Sequence, residues 1–248
     1  MYQFFVEPEQ IDLDNKRVTI TGGDVNHIKN VLRMQLTEEI DVRNGIDTNE
    51  YRCSIAGFET DAVICDLLFV REDSVELPSK VYLFQGLPKS DKMEFIIQKA
   101  VELGVHEIIP VATSRSVVKL DAKKEKSKLE RYNAIALAAA KQCKRAYIPK
   151  VTQVMSMKEA VSYAKEMDVR VIPYELADGM KKTKDIIASL KGNEQIAVFI
   201  GPEGGFAKEE IELAQNAGIE PVTLGKRILR TETAGITILS IIMFQLEQ

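Results

Sequence analysis

The chain contains no tryptophan, only two histidines and only three cysteines in 248 residues. Cys53, Cys65 and Cys143 form no CxxC pair, and only His27 and His106 could join them, so the spacing argues against a structural zinc site and against a disulfide framework. Thiols in a reducing compartment remain. The longest apolar stretch, Ala234 to Leu246, is too short to span a bilayer, and the opening MYQFFVEPEQ carries acids where a secretion signal needs a basic and then an apolar region. A cytoplasmic protein without membrane contact is expected. Internal repeats and low-complexity tracts are also lacking, as is the GxxxxGK[ST] phosphate loop. The first strand-turn-helix unit of the second half offers GLPKSDKMEF, with one glycine where a dinucleotide fingerprint needs three.

What is present is a hydrophobic content of 45%, enough to bury a core without staples. The formal net charge of -4 is unevenly spread. Residues 1–72 hold 7 Lys/Arg against 14 Asp/Glu, whereas residues 115–150 hold 11 against 3. This basic island includes Arg115, Lys119, Arg131, Lys141, Lys144 and Arg145. It suits phosphates if its members share a face, and otherwise reads as a solvated helix surface.

The pattern divides the chain into residues 1–72 and 73–248. In the first part, β-type runs at Arg17–Ile20, Ile40–Arg43, Glu50–Phe58 and Ala62–Val70, punctuated by glycine turns, predict a small β-barrel or curled sheet. One helix interrupts them, with Asp24 as its cap and Val25, Ile28, Val31 and Leu32 as its apolar stripe. His27, Lys29 and Arg33 fall off that stripe, open to solvent or to RNA. Arg71–Lys80 reads as the linker. From Val81 onward, strands at Val81–Gln85, Glu107–Val111, Val169–Tyr174, Ile196–Ile200 and Pro221–Leu224 alternate with helical segments. Such alternation predicts a mostly parallel sheet covered by helices. The segment Thr233–Gln245 is apolar on nearly every side and must be buried, under the sheet's cover or against a second subunit.

Two loops carry the strongest signal. AVFIGPEGGF (Ala197 to Phe206) and LGKRILRTETAG (Leu224 to Gly235) each put glycine after an apolar strand and before a helix. Glycine there lets backbone amides approach a ligand that a Cβ would block, although ordinary turns use the same residues. Two such loops at the strand ends of an open sheet make a ligand crevice.

The set HIKNVLRM, KSDKMEFIIQKAVELGV, TSRSVVK, KQCKRAYIPKV, IGPEGGF and LGKRILRTETA resembles the RsmE family of 16S ribosomal RNA methyltransferases across both parts of the chain. The resemblance implies an α/β protein: an N-terminal PUA-like RNA-binding β-barrel, then a SPOUT methyltransferase domain with a deep trefoil knot, acting as a homodimer. It implies S-adenosylmethionine as cofactor, a uridine N3 in 16S rRNA as acceptor, and the assembled small ribosomal subunit as substrate. By motif, Gly201, Pro202, Glu203, Gly204 and Gly205 match the first cofactor loop, while Leu224, Gly225, Ile228, Leu229, Thr231 and Thr233 match the second. Backbone groups near Gly201, Leu224 and Leu229 would read adenine, with Ile228 and Leu229 as apolar walls; Glu203 reads equally as a ligand or as a helix-start residue. Arg230 is the expected stabiliser of charge on the uracil, or else a brace for its loop, and Glu232 or Glu203 the proton acceptor. His27, Arg33, Arg115, Lys119 and Arg145 are the expected RNA contacts. One departure stands out: the family commonly has glutamate where this chain has Lys141. A non-catalytic ribosome-assembly factor and an NAD-dependent oxidoreductase are the alternatives, separated by whether S-adenosylmethionine binds.

Overall fold

A computed structural model describes residues 1–72, 75–116, 122–175 and 179–247. The chain divides into two compact units, Met1–Glu76 with Ala140–Ile148, and Leu77–Ala139 with Pro149–Gln248.

The first unit is built on β1 (Gln3–Phe5), β2 (Ile11–Asp12), β3 (Arg17–Thr21), β4 (Glu39–Arg43), β5 (Asn49–Phe58) and β6 (Ala62–Glu72). They form one six-stranded sheet in the order β1-β4-β5-β6-β3-β2. Strand alternation places Val18, Ile20, Ile40, Val42, Cys53, Ile55, Val63 and Cys65 in a single core. Of the two expected forms, β-barrel or curled sheet, the strands take the second: the ladder ends at β1 and β2, and two register shifts in β5, at Arg52/Cys53 and Ile55/Gly57, mark the irregularities that bend such a sheet.

The interrupting helix also differs from expectation. Helix α1 (Gly23–Asn26) has Gly22 at its N-cap, and Asp24 lies inside it without capping. A π-helical turn then runs from His27 to Val31, closed by the Leu32 N–H donating to the His27 carbonyl at 2.8 Å. The extra residue in that turn shifts the phase of the stripe. Val25 and Ile28 remain buried, whereas Val31 is 61% exposed. Asp24 instead accepts from Lys141 Nζ at 2.9 and 2.8 Å. The lysine at this departure from the family pattern therefore has a carboxylate partner.

The second unit contains β7 (Lys80–Gly86), β8 (Glu107–Ala112), β9 (Lys150–Val151), β10 (Met155–Ser156), β11 (Val169–Pro173), β12 (Gln195–Ile200) and β13 (Glu220–Val222). Its sheet runs β10-β8-β7-β12-β11-β13, with β9 beside β8. Every pairing is parallel. The central partners β7 and β12 are matched over six residues and buried, with Phe84 and Phe199 stacked at 4.3 Å. Near-continuous apolar strands of this kind are what burial on both faces requires. The helices are α2 (Lys92–Glu102), α3 (Ala122–Gln142), α4 (Met157–Tyr163), α5 (Met180–Ala188), α6 (Lys208–Asn216) and α7 (Thr231–Leu246).

Helix α7 is less enclosed than its composition suggests. Gly235, Ile238, Leu239, Ile242 and Leu246 form a buried stripe, but Phe244 is 80% and Ile241 38% exposed. One helix face packs on its own unit and the other stays open in the single chain.

Candidate active site

The site follows from strand order. Because β12, β11 and β13 are parallel neighbours, their C-terminal ends lie on one edge of the sheet. The loops that leave β12 toward α6 and β13 toward α7 therefore converge, which is where open α/β sheets place ligands. They line a cleft of 1080 Å³ together with Pro173, Tyr174 and Glu175 at the end of β11. The expected cofactor positions Gly201, Pro202, Glu203, Gly204, Gly205, Leu224, Gly225, Ile228, Leu229 and Thr231 all line it. Thr233 does not: it lies exposed on α7, outside the cleft lining. On a helix, two residues turn a side chain away from the face held by Thr231.

Glycine is needed at particular points. A Cβ on Gly201 would approach Gly205 at 3.1 Å, and one on Gly86 would sit 2.6 Å from Pro202 Cδ. Gly225 has φ 120° and Gly205 φ 66°, which L side chains rarely adopt. The loops are stitched through Thr231. Its Oγ1 donates to the Gly201 carbonyl at 2.7 Å and accepts from Gln85 Nε2 at 2.9 Å. Gln85 is fully buried and also donates to the Gly86 carbonyl at 2.9 Å. Sequence reasoning missed Gln85, since a glutamine inside an apolar strand carries no motif of its own.

Charged groups are arranged unevenly. Glu203 stands on a turn four residues ahead of Ala207, the N-cap of α6, so it is not a helix-start residue. It pairs with Lys92 Nζ at 3.1 Å and accepts from the Lys89 N–H at 3.2 Å. Burial pushes its carboxyl up, but hydrogen bonds from its own backbone N–H, from Lys92 and from Lys89 outweigh this and hold it below its ordinary value. Lys92 also lies 3.4 Å from Glu232 Oε2, a buried atom with no aligned hydrogen-bond donor. Glu232 itself does not line the cleft. Arg230 lines it with an exposed side chain that has no hydrogen bond or ion pair among the described residues, so the loop-bracing alternative finds no partner. Lys92 was another omission, recoverable only from its place at the start of the helix after β7.

The expected RNA contacts separate. Arg115 reaches the cleft, where Nη1 donates to the Gly204 carbonyl at 2.9 Å. His27 and Arg33 are exposed on the first unit, Arg33 with φ 54°. Lys119 lies outside the described residues. Arg145 is corrected: it is 4% exposed, with Nε 3.1 Å from Glu76 Oε2, and Glu76 also accepts from the Ala146 and Tyr147 N–H groups. A guanidinium buried on a carboxylate is an internal clamp and leaves no fork for a phosphate. Among the described residues no group of three or more His, Cys, Asp or Glu is placed to hold a metal, and no helix is long and apolar enough to cross a membrane.

Comparison with known proteins agrees with this architecture. Residues 75–243 match the RNA methyltransferase domain family and residues 20–68 the RNA methyltransferase PUA domain family. The chain is 39% identical to ribosomal RNA small subunit methyltransferase E of Bacillus subtilis, covering 100% of this chain and 98% of the relative. It is 34% identical to the protein of that name from Mesomycoplasma hyopneumoniae, over 97% and 98% of the two chains. Among solved structures, a methyltransferase from Legionella pneumophila in complex with the bound cofactor SAM superposes with TM-score 0.86 at 32% identity, over 98% and 97%. A ribosomal RNA small subunit methyltransferase E from Neisseria gonorrhoeae bound to S-adenosyl methionine gives 0.82 at 29%, over 97% and 96%. With two family domains in order and near-complete coverage by relatives of one name, the chain belongs to the ribosomal RNA small subunit methyltransferase E family.

Proposed function

We propose that this chain transfers a methyl group from S-adenosylmethionine to N3 of a uridine in 16S rRNA, with the assembled small subunit as substrate, and works in the cytoplasm as a homodimer. The observation that carries the reading is the cleft built by the two glycine loops. Its residues fit an adenosyl and methionyl ligand: Gly201, Gly204, Gly205 and Gly225 leave the backbone uncovered, and Leu224 and Leu229 offer apolar contact, while Ile228 stands 81% exposed at the rim. The SAM complexes of the two structural relatives support the same choice. The reading includes a trefoil-knotted path, which rests on the family resemblance. The open apolar face of α7 favours the homodimer.

When bound, S-adenosylmethionine supplies an electrophilic methyl group, so the hard chemistry belongs to the cofactor. The chain's own task is to orient the uracil and to deal with its N3 proton and the negative charge that spreads to the flanking carbonyl oxygens. Arg230 is free to stabilise that charge. Glu203 is a poor proton acceptor because its oxygens are already held by donors. Glu232 has fewer donors and is the better carboxylate candidate, reached through an ordered water because it does not itself line the cleft.

The test is transfer of labelled methyl from S-adenosylmethionine to free 16S rRNA and to assembled subunits lacking the modification, followed by mass spectrometry of the nucleosides. N3-methyluridine is the expected product. Cofactor binding without transfer to either substrate would reject the RNA target, and absence of cofactor binding would favour an assembly factor.

A further inference from the structure

The basic island does not supply free cations as freely as its charge suggests. Arg131 Nε lies 2.7 Å from Glu94, Lys141 is held by Asp24 and Arg145 by Glu76. Lys126, Lys144 and Lys150 of the island are exposed without an ion pair among the described residues, but none of them lines the cleft, and the unpartnered cations that do line it stand on the loop between β13 and α7. Lys226 and Arg227 are exposed cleft-lining residues with no side-chain partner among the described residues. Directly after them comes Ile228, which is 81% exposed although it lines the same cleft.

The loop presents these residues from an anchored base. Thr183 Oγ1 donates to the Thr223 carbonyl at 3.0 Å and accepts from the Thr223 N–H at 3.1 Å. Thr223 Oγ1 then accepts from the Gly225 N–H at 3.2 Å, and Gly225 turns the chain with φ 120°. Two free cations beside an exposed apolar side chain match a single-stranded RNA segment. Phosphates are held by point charges, while an unstacked base needs an apolar surface for its face.

We propose that Lys226, Arg227 and Ile228 form the RNA-contacting rim of the cleft, the two cations on phosphates flanking the acceptor nucleotide and Ile228 against the face of an unstacked base. This deepens the methyltransferase reading and rests on it. The rim then gives RNA binding at the cleft part of its salt dependence.

The experiment measures the affinity of wild-type and variant protein for 16S rRNA across a salt series, with S-adenosylmethionine affinity by calorimetry alongside. For Lys226→Gln/Arg227→Gln, RNA affinity falls about tenfold and the slope of log affinity against log salt becomes shallower by about 1.4, roughly 0.7 per lost phosphate contact on a single strand. Cofactor affinity is unchanged, which also reports that the variant is folded. Ile228→Ala weakens RNA binding without altering the slope, and Arg131→Gln leaves the slope as it was. If the double variant folds poorly, each single variant carries about half the slope change. Unchanged RNA affinity and slope overturn the proposal, as does a parallel loss of cofactor affinity, which would assign the cations to the cofactor's carboxylate. Failure of the wild-type protein to methylate RNA is a separate result that strikes the underlying function.

Discussion

Thr231 and Gly201 stand 30 positions apart and share a 2.7 Å hydrogen bond that ties the start of α7 to the loop leaving β12. The same hydroxyl accepts from buried Gln85, so one side chain joins three segments of the cleft wall. Thr231→Val keeps the shape but leaves the Gly201 carbonyl and one of the two Gln85 side-chain N–H groups unpaired, at a cost of about 1–3 kcal/mol. Denaturant unfolding is expected to show that loss and calorimetry a weaker cofactor affinity, with Thr231→Ser milder in both. A valine variant equal to wild type in both would show that the loops are held by other contacts.

Gly86 ends β7 directly against Pro202. Alanine there would bring its Cβ within 2.7 Å of the Pro202 backbone nitrogen, and backbone cannot yield as a flexible side chain would. Gly86→Ala is therefore expected to lower the melting temperature and weaken cofactor binding together. Retention of both would mean that the 201–205 loop moves aside easily.

Glu203 gives a pH dependence with a defined sign. Its folded pKa lies below the ordinary 4.5, so it contributes stability that is present above that value and is lost as pH falls through the lower folded value. Lys92→Met removes one of the donors that stabilise the carboxylate. Urea unfolding from pH 6 down to pH 3 is expected to show a smaller acid loss in this variant than in wild type, and Lys92→Arg is expected to restore most of it. Identical acid profiles would remove the Lys92–Glu203 pair from the explanation.

Arg230 is exposed, unpaired among the described residues and lines the cleft. Arg230→Ala is expected to cost two to three orders of magnitude in kcat, about the value of one oxyanion donor, while cofactor affinity holds. Single-turnover methyl transfer measured beside calorimetry checks this, and unchanged turnover would exclude Arg230 from the chemistry.

Burial pushes the thiols of Cys53 and Cys65 up to about 12, whereas Cys143 is only partly buried. A thiol reagent at pH 8 is expected to modify Cys143 first in the native protein, and the other two at the rate of unfolding. Rapid modification of Cys53 or Cys65 would show that the first unit opens locally.

Much of the second unit was legible because its strands are apolar runs between helical segments. Val81–Gln85 and Ile196–Ile200 extend by only a residue at one or both ends in the structure. The two-residue strands β9 and β10 were missed because periodicity needs more residues than they contain. In the first unit the four longer strands were readable, but the short β1 and β2 were not, and neither was closure, since β-type runs that form a barrel and those that form an open sheet have the same alternation. The π-turn at His27–Val31 escaped for a related reason: one extra residue per turn is a property of the hydrogen bonds, and Val31 carries no sign that it has rotated outward.

Local rules act over a few neighbours, so the order of residues was sufficient to specify the elements, the glycines that keep two loops bare and the segregation of acidic and basic stretches. Pairing across space obeys distance instead. Tertiary structure alone decided that β11 would lie between β12 and β13 and so bring both loops to one cleft. It also decided which cations would be used internally: Arg145 is held by Glu76, 69 positions away, and Lys141 by Asp24, 117 away, whereas Lys226 and Arg227 meet no carboxylate among the described residues. A charge has the same sign wherever the chain takes it, but its availability depends on what the fold sets within a few ångströms of it.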